Sequence, residues 1–467
     1  MLNDNIILMV DSYKVSHYNC YPAKTTSVFS YFESRGGEFD HVLFFGLQYI
    51  LKRYLEGVRV NKAMIDEAED YYSSHLQPGL FNRAGWEYIV KAHDGKLPVS
   101  IKAVPEGLII PTHNVLMTVE NTDPNCYWLT NFLETILCHL WYPCTTATVS
   151  YTMKRIILSA LERSGDPSQI GFKLHDFGCR GVSSMETAAI GGAAHLVNFL
   201  GTDTVPALQL HREYYGAKMA GFSIPAAEHS TITSWGREGE LDAYRNMLEQ
   251  FPTGLVAVVS DSWDIYNAVS HLWGQELKDK VLNRQGTVVV RPDSGDPCKV
   301  VPDILDLLGK RFDVLTNDKG YKVLDSHIRV IQGDGIDRNS LNGILEAVMN
   351  RGWSADNLAF GSGGGLLQQC NRDTLKFAFK CSSVVVDGKE QDVFKRPTTA
   401  AWKNSKKGRL ILANNEAFES INGSRWATLQ ERLSLGNDDC LVEVFRDGQV
   451  LKTYTLDEIR ERTQNKQ

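Results

Sequence analysis

The segment Ser223-Ile224-Pro225-Ala226-Ala227-Glu228-His229-Ser230-Thr231 sets a histidine behind a carboxylate and ahead of hydroxyls, residue types that move protons or phosphoryl groups. The plainer alternative is a histidine hydrogen-bonded inside a packed loop. Asp261 and Asp293 each end an apolar run, where a carboxylate either caps the next helix or binds hydroxyls and Mg²⁺. Acidic ends recur at Asp203, Glu228 and Asp334, more often than capping alone explains. Arg291 stands two residues before Asp293, a pairing suited to pyrophosphate beside ribose. As a local salt bridge it is worth only about 0–1 kcal/mol.

Gly361-Ser362-Gly363-Gly364-Gly365 follows Phe360 as a strand–glycine turn–helix phosphate cradle, with Arg372 and Lys380 downstream to add charge. It lacks the Gly-Lys-Ser/Thr of a Walker A loop, and glycine turns also serve geometry alone. Phe177 and Arg180 flank another glycine turn, where a flat aromatic ligand stacks on the phenyl ring; Phe177 also suits a core. Lys403 to Arg409 is basic and reads as a solvated loop.

Seven such clusters lie between residues 170 and 365, each ending an apolar run and preceding a helical stretch. That alternation places the polar tips on one rim of a parallel sheet or barrel. Leu255 to Val259 and Thr287 to Val290 are the continuous β-branched runs of strands buried on both faces. Ser183 to Glu186 fits a capping box, opening a helix expected to run to Leu200 and stop at Gly201. Val28 to Glu33 alternates as a strand, and Asp387-Gly388 and Asp447-Gly448 mark hairpins. The expected fold is α/β: an irregular barrel-like catalytic domain over 151–373, with a second β-rich domain built from residues 1–150 and 374–467. A disordered tail is expected only for the last few residues.

A net charge of −7 argues against a general nucleic-acid binder, and no apolar run approaches the roughly 20 residues needed to span a bilayer. Nine cysteines without a C-x-x-C pair point to reduced thiols in a cytoplasmic protein.

Taken in order, these segments resemble the nicotinamide phosphoribosyltransferases, a type II phosphoribosyltransferase family. The resemblance covers nearly the whole chain, from Asp11-Ser12-Tyr13-Lys14-Val15 to Asp457-Glu458-Ile459-Arg460. It implies a homodimer with shared active sites that forms nicotinamide mononucleotide and pyrophosphate from nicotinamide and phosphoribosyl pyrophosphate, for NAD biosynthesis. It also implies Mg²⁺ and stimulation by ATP through a phosphohistidine. Carried onto this sequence, His229 accepts the phosphate with Glu228 beside it. Phe177 and Arg180 hold the nicotinamide ring, Tyr13 stacks from across the dimer with Asp11 next to it, and Asp203 receives the carboxamide NH₂. Arg291, Asp293 and Asp261 handle ribose, pyrophosphate and Mg²⁺. Gly333, Asp334, Gly363, Gly364 and Arg372 surround the ribose and 5′-phosphate, helped by Arg35, Lys380 and Lys395. The stretch Gly36 to Asp40 is shorter than in animal members, and Ala378 stands where those carry serine.

A carboxylate at Asp203 accepts a hydrogen bond from an amide but repels that of nicotinic acid, which favours this reading over a nicotinate phosphoribosyltransferase. A barrel aldolase using a Schiff-base lysine is disfavoured because no lysine stands at the seven strand ends. A catalytically silent homologue would be favoured by loss of His229, Asp261 or Arg291, and all three are present.

Overall fold

In the computed structural model, which describes residues 4–400, 403–434 and 436–464, the β-branched runs are parallel strands buried on both faces. The expected tail falls partly on residues 465–467, outside those described. Two compact units make up the chain: Met1–Thr148 with Glu213–Ala217 and Cys370–Gln467, and Val149–Arg212 with Lys218–Gln369. Among the described residues no helix is long and apolar enough to cross a membrane.

The second unit carries six parallel strands: β1 (Leu174–Asp176), β2 (Gly201–Thr202), β3 (Val256–Val259), β4 (Val288–Arg291), β5 (Ile328–Gln332) and β6 (Leu358–Ser362). Their order is β2-β1-β6-β5-β4-β3. Residues 222–226 touch both edges: Phe222 bridges Gly201 of β2, and Ala226 bridges Ala257 of β3. The sheet therefore curls into an irregular ring of seven members, one for each polar cluster in the sequence. Its interior is small: Ala257, Val289 and Ile331 pack together with Phe177, Ile224 and Ala359. The alternate residues Val256, Val258, Val288 and Val290 are fully buried on the other face. Strands covered on both sides are why these runs are apolar throughout rather than alternating.

Helices follow the strand ends at Val205–Tyr214, Glu240–Gln250, Pro297–Gly309 and Arg338–Asn350. The cap falls one residue later than the box expected at Ser183 and Glu186. Ser184 is the cap, accepting the Thr187 amide at 3.0 Å, and the helix is Met185–His195. Gly201 does not end that helix but lies in β2, against the expectation, because the chain turns after His195 and re-enters the sheet.

The first unit holds a seven-stranded antiparallel sheet in which Thr25–Ser34 lies between Phe377–Val386 and Val115–Asn121. Both hairpins form at the Asp-Gly pairs. Asp387 and Gly388 have φ of 49° and 73°, and Asp447 and Gly448 have 50° and 79°, the left-handed pair a two-residue turn requires.

Candidate active site

Three rim loops share one construction. Asp264, Asp296 and Asp337 cap the helices that follow, accepting the amides of Tyr266, Cys298 and Asn339 at 3.0, 3.0 and 2.7 Å. Each stands three residues beyond a strand-end aspartate: Asp261, Asp293 and Asp334. The second aspartate satisfies the helix, so the first remains available on the rim. Glu228 is different: it caps the short turn His229–Thr233, and its carboxylate accepts the Ser230 hydroxyl. Of the five acidic strand ends, Glu228 is thus accounted for by local structure.

At the mouth of the ring lies a cavity of about 990 Å³, lined by Phe177, Arg180, Asp203, Arg291, Asp293, Gly333, Asp334, Gly363 and Gly364. The buried Asp176 shapes the first loop, accepting the Gly178 amide at 2.7 Å and the Thr202 hydroxyl at 3.2 Å. The Phe177 ring lies over Gly361, where a Cβ would sit 1.9 Å from it, and close to Gly333, where a Cβ would be 3.3 Å away. A Cβ at Gly364 would meet nothing within 4 Å, so packing does not demand that glycine.

Asp203 Oδ1 accepts from His175 Nε2 at 2.9 Å and from the Ser223 hydroxyl at 2.5 Å. Burial opposes its ionisation, but the hydrogen bond and charge of His175, with Ser223, outweigh it and hold the carboxyl below the usual carboxylate range. The cavity therefore carries a fixed negative charge at one end. Arg291, only 17% exposed, stands 3.7 Å from Asp293.

His229 adjoins this cavity. Its Nε2 is 3.5 Å from Asp293 Oδ2 and 3.7 Å from Asp261 Oδ1, while Nδ1 is 3.2 Å from the Ser262 hydroxyl. The ring is 46% exposed, so it is no satisfied core histidine. Asp261 Oδ2 accepts the Ser294 hydroxyl at 2.5 Å, but its Oδ1 is buried with no hydrogen-bond donor. Such an oxygen suits a cation, and with Asp293 it makes a pair of hard donors that fits Mg²⁺.

Six sequence-predicted residues belong to the other unit. Asp11 accepts the Thr135 hydroxyl at 2.8 Å, and Tyr13 is 61% exposed, edge-on to His17. Arg35 is nearly buried and held by Glu33 at 2.8 Å, yet its Nη2 has no partner. Burial, with the nearby charges of Arg35 and Lys14, lowers the pKa of Lys380. Arg372 and Lys395 are exposed, the former 3.6 Å from Asp373. Sequence reading gave no role to His175, Ser223, Ser262 or Ser294. Their shared signal is position: each is an imidazole or hydroxyl within three residues of a rim carboxylate or histidine, in sequence or across the next strand.

Residues 172–445 match the nicotinate phosphoribosyltransferase (NAPRTase) family. The chain belongs to that family. Residues 5–101 match the N-terminal domain of nicotinamide phosphoribosyltransferase. Family members similar to it include a Xanthomonas campestris nicotinamide phosphoribosyltransferase, 53% identical over 98% of this chain and 97% of that one. Another, from Acinetobacter baylyi and of the same name, is 33% identical over 98% and 97%. In fold the chain is similar to the nicotinate-nucleotide pyrophosphorylase of Pyrococcus furiosus, with a TM-score of 0.64 at 15% identity over 99% and 96% of the two chains. It is also similar to human nicotinic acid phosphoribosyltransferase, with a TM-score of 0.59 at 16% identity over 98% and 93%. As a family member it is a phosphoribosyltransferase, and the ring described above is the family's mixed α/β fold.

Proposed function

We propose that this phosphoribosyltransferase joins nicotinamide to phosphoribosyl pyrophosphate, releasing nicotinamide mononucleotide and pyrophosphate for NAD biosynthesis. The observation that carries the choice of substrate is the Asp203 carboxylate, held ionised in the cavity by His175 and Ser223. It accepts a hydrogen bond from a carboxamide and repels a carboxylate. The relatives named above as nicotinamide phosphoribosyltransferases support the same reading.

In this reading Phe177 and Arg180 hold the pyridine ring so that its nitrogen faces the anomeric carbon. As the C–N bond forms, the bond to pyrophosphate breaks and positive charge grows on the sugar. Asp293 and Asp334 tolerate that charge, while Arg291 draws the leaving pyrophosphate. Gly363 and Gly364 let backbone amides approach the 5′-phosphate, and Arg35, Arg372, Lys380 and Lys395 supply further positive charge. Asp261 and Asp293 would hold Mg²⁺, which when bound neutralises the pyrophosphate. His229 is exposed beside them: its imidazole takes the γ-phosphoryl group of ATP as ADP leaves, then yields it to water during turnover. The protein works as a cytoplasmic homodimer, with Asp11 and Tyr13 completing the nicotinamide site across the interface.

The test is direct. Purified protein is incubated with phosphoribosyl pyrophosphate and Mg²⁺, with nicotinamide or nicotinic acid, and with or without ATP, and the mononucleotides are quantified. Product from nicotinamide, raised by ATP, is expected. Product mainly from nicotinic acid overturns the choice of substrate, and none from either overturns the reaction.

A further inference from the structure

His175 lies in the middle of β1, directly paired with Gly201 on β2. Its imidazole crosses that neighbouring strand to reach Asp203 at 2.9 Å, one residue past the end of β2. The crossing depends on Gly201, where a Cβ would come within 2.7 Å of His175 Nδ1. Ser223, on the segment that closes the ring beyond β2, reaches the same oxygen from the other side at 2.5 Å. Asp203 is 48% exposed and His175 only 14%. A half-exposed aspartate samples several rotamers, whereas two donors from different ring members converging on Oδ1 select one. Oδ2 is left as the acceptor available to a ligand.

We propose that His175 is a positioning residue for substrate selection: with Ser223 it locks the Asp203 carboxylate so that Oδ2 meets a carboxamide donor. This rests on nicotinamide being the substrate. Selection then belongs to a three-residue unit drawn from β1, β2 and the closing segment, and His175 acts only through Asp203.

The test is a double-mutant cycle on the full-length enzyme, with kcat and KM measured for nicotinamide and nicotinic acid. His175→Ala should raise the KM for nicotinamide about tenfold, the effect of losing one charge-assisted hydrogen bond, with a smaller change in kcat. In an Asp203→Asn background the same change should add little. His175→Gln, which keeps a donor, should restore most of the loss. Should His175→Ala fail to fold, Ser223→Ala enters the cycle in its place. Additive losses in the double variant, no rescue by glutamine, or equal effects on both substrates would overturn the inference while leaving nicotinamide as substrate. A wild-type enzyme with no preference for nicotinamide overturns both.

Discussion

Because His175 and Ser223 keep the Asp203 carboxyl below the usual carboxylate range, it stays charged well into acid. The preference for amide over acid should therefore hold from pH 8 down to about pH 4, where an ordinary aspartate is already about half protonated. Asp203→Asn should erode that preference by roughly tenfold or more, since the neutral side chain no longer repels a nicotinate carboxylate. Unchanged selectivity in competition assays would remove Asp203 from the argument. His229 is half-exposed and faces two carboxylates, those of Asp261 and Asp293. His229→Ala should abolish stimulation by ATP while leaving slow basal transfer, because Asp203, Phe177 and Arg291 remain. ATP stimulation surviving in that variant would rule out a phosphohistidine there.

At the scale of elements, β6 sets the ring on which a pyridine would stack. Gly361→Ala places a methyl 1.9 Å from Phe177, so the ring must move. The expected cost is about 1–3 kcal/mol of stability, with a higher KM for nicotinamide. Gly364→Ala meets open space and should spare stability while raising the KM for phosphoribosyl pyrophosphate. Thermal melts beside both KM values separate the two, and an unshifted melting point for Gly361→Ala would refute the packing argument. In the other unit Glu106 is fully buried and accepts the Gln48 amide at 2.7 Å, at the start of the turn Leu47–Ile50. Burial pushes its carboxyl up to about 7, so the folded state keeps a proton that the unfolded chain releases near 4.5. The stability this proton supplies is full below pH 4.5 and lost as pH rises through 7, roughly 3 kcal/mol in all. Glu106→Gln should flatten that fall, as read by denaturant midpoints at pH 5 and 8; an unchanged fall would contradict it. Such elements differ in how well sequence reveals them. The strands buried on both faces were legible because Val256 to Val259 and Val288 to Val290 admit little else. The Asp-Gly turns were legible because few residues tolerate their dihedrals. The closing segment was legible only through the polar cluster at its end: residues 222–226 join the ring by single bridges, without a β-branched run. The return of Glu213–Ala217 to the first unit was not legible, since five residues carry no periodicity.

At the scale of the molecule, the predicted residues divide cleanly. Twelve, counting Glu228, belong to the ring unit and six, among them Asp11, Tyr13 and Arg35, to the other. Residue types pointed to most of the first group and to Arg372 and Lys380 of the second, whereas Asp11, Tyr13, Arg35 and Lys395 came from the family resemblance, and no spacing in a single chain says whether one copy or two assembles them. The proposed dimer with shared sites makes a distinctive prediction. Asp11→Ala/Tyr13→Ala disables what a subunit lends, and Asp293→Ala disables what it keeps, so each variant alone should be nearly inactive. After the two are co-expressed, about half the dimers are mixed, and each mixed dimer has one intact site. Activity should then return to about a quarter of the wild-type value, as expected for an isologous pair with independent sites. Sites completed within one chain give no such return, because every copy in the mixture carries a defect in its own site. The recovered activity should also disappear on dilution below the dimer dissociation constant and come back on concentration. That concentration dependence separates a site shared between subunits from one completed within a single chain.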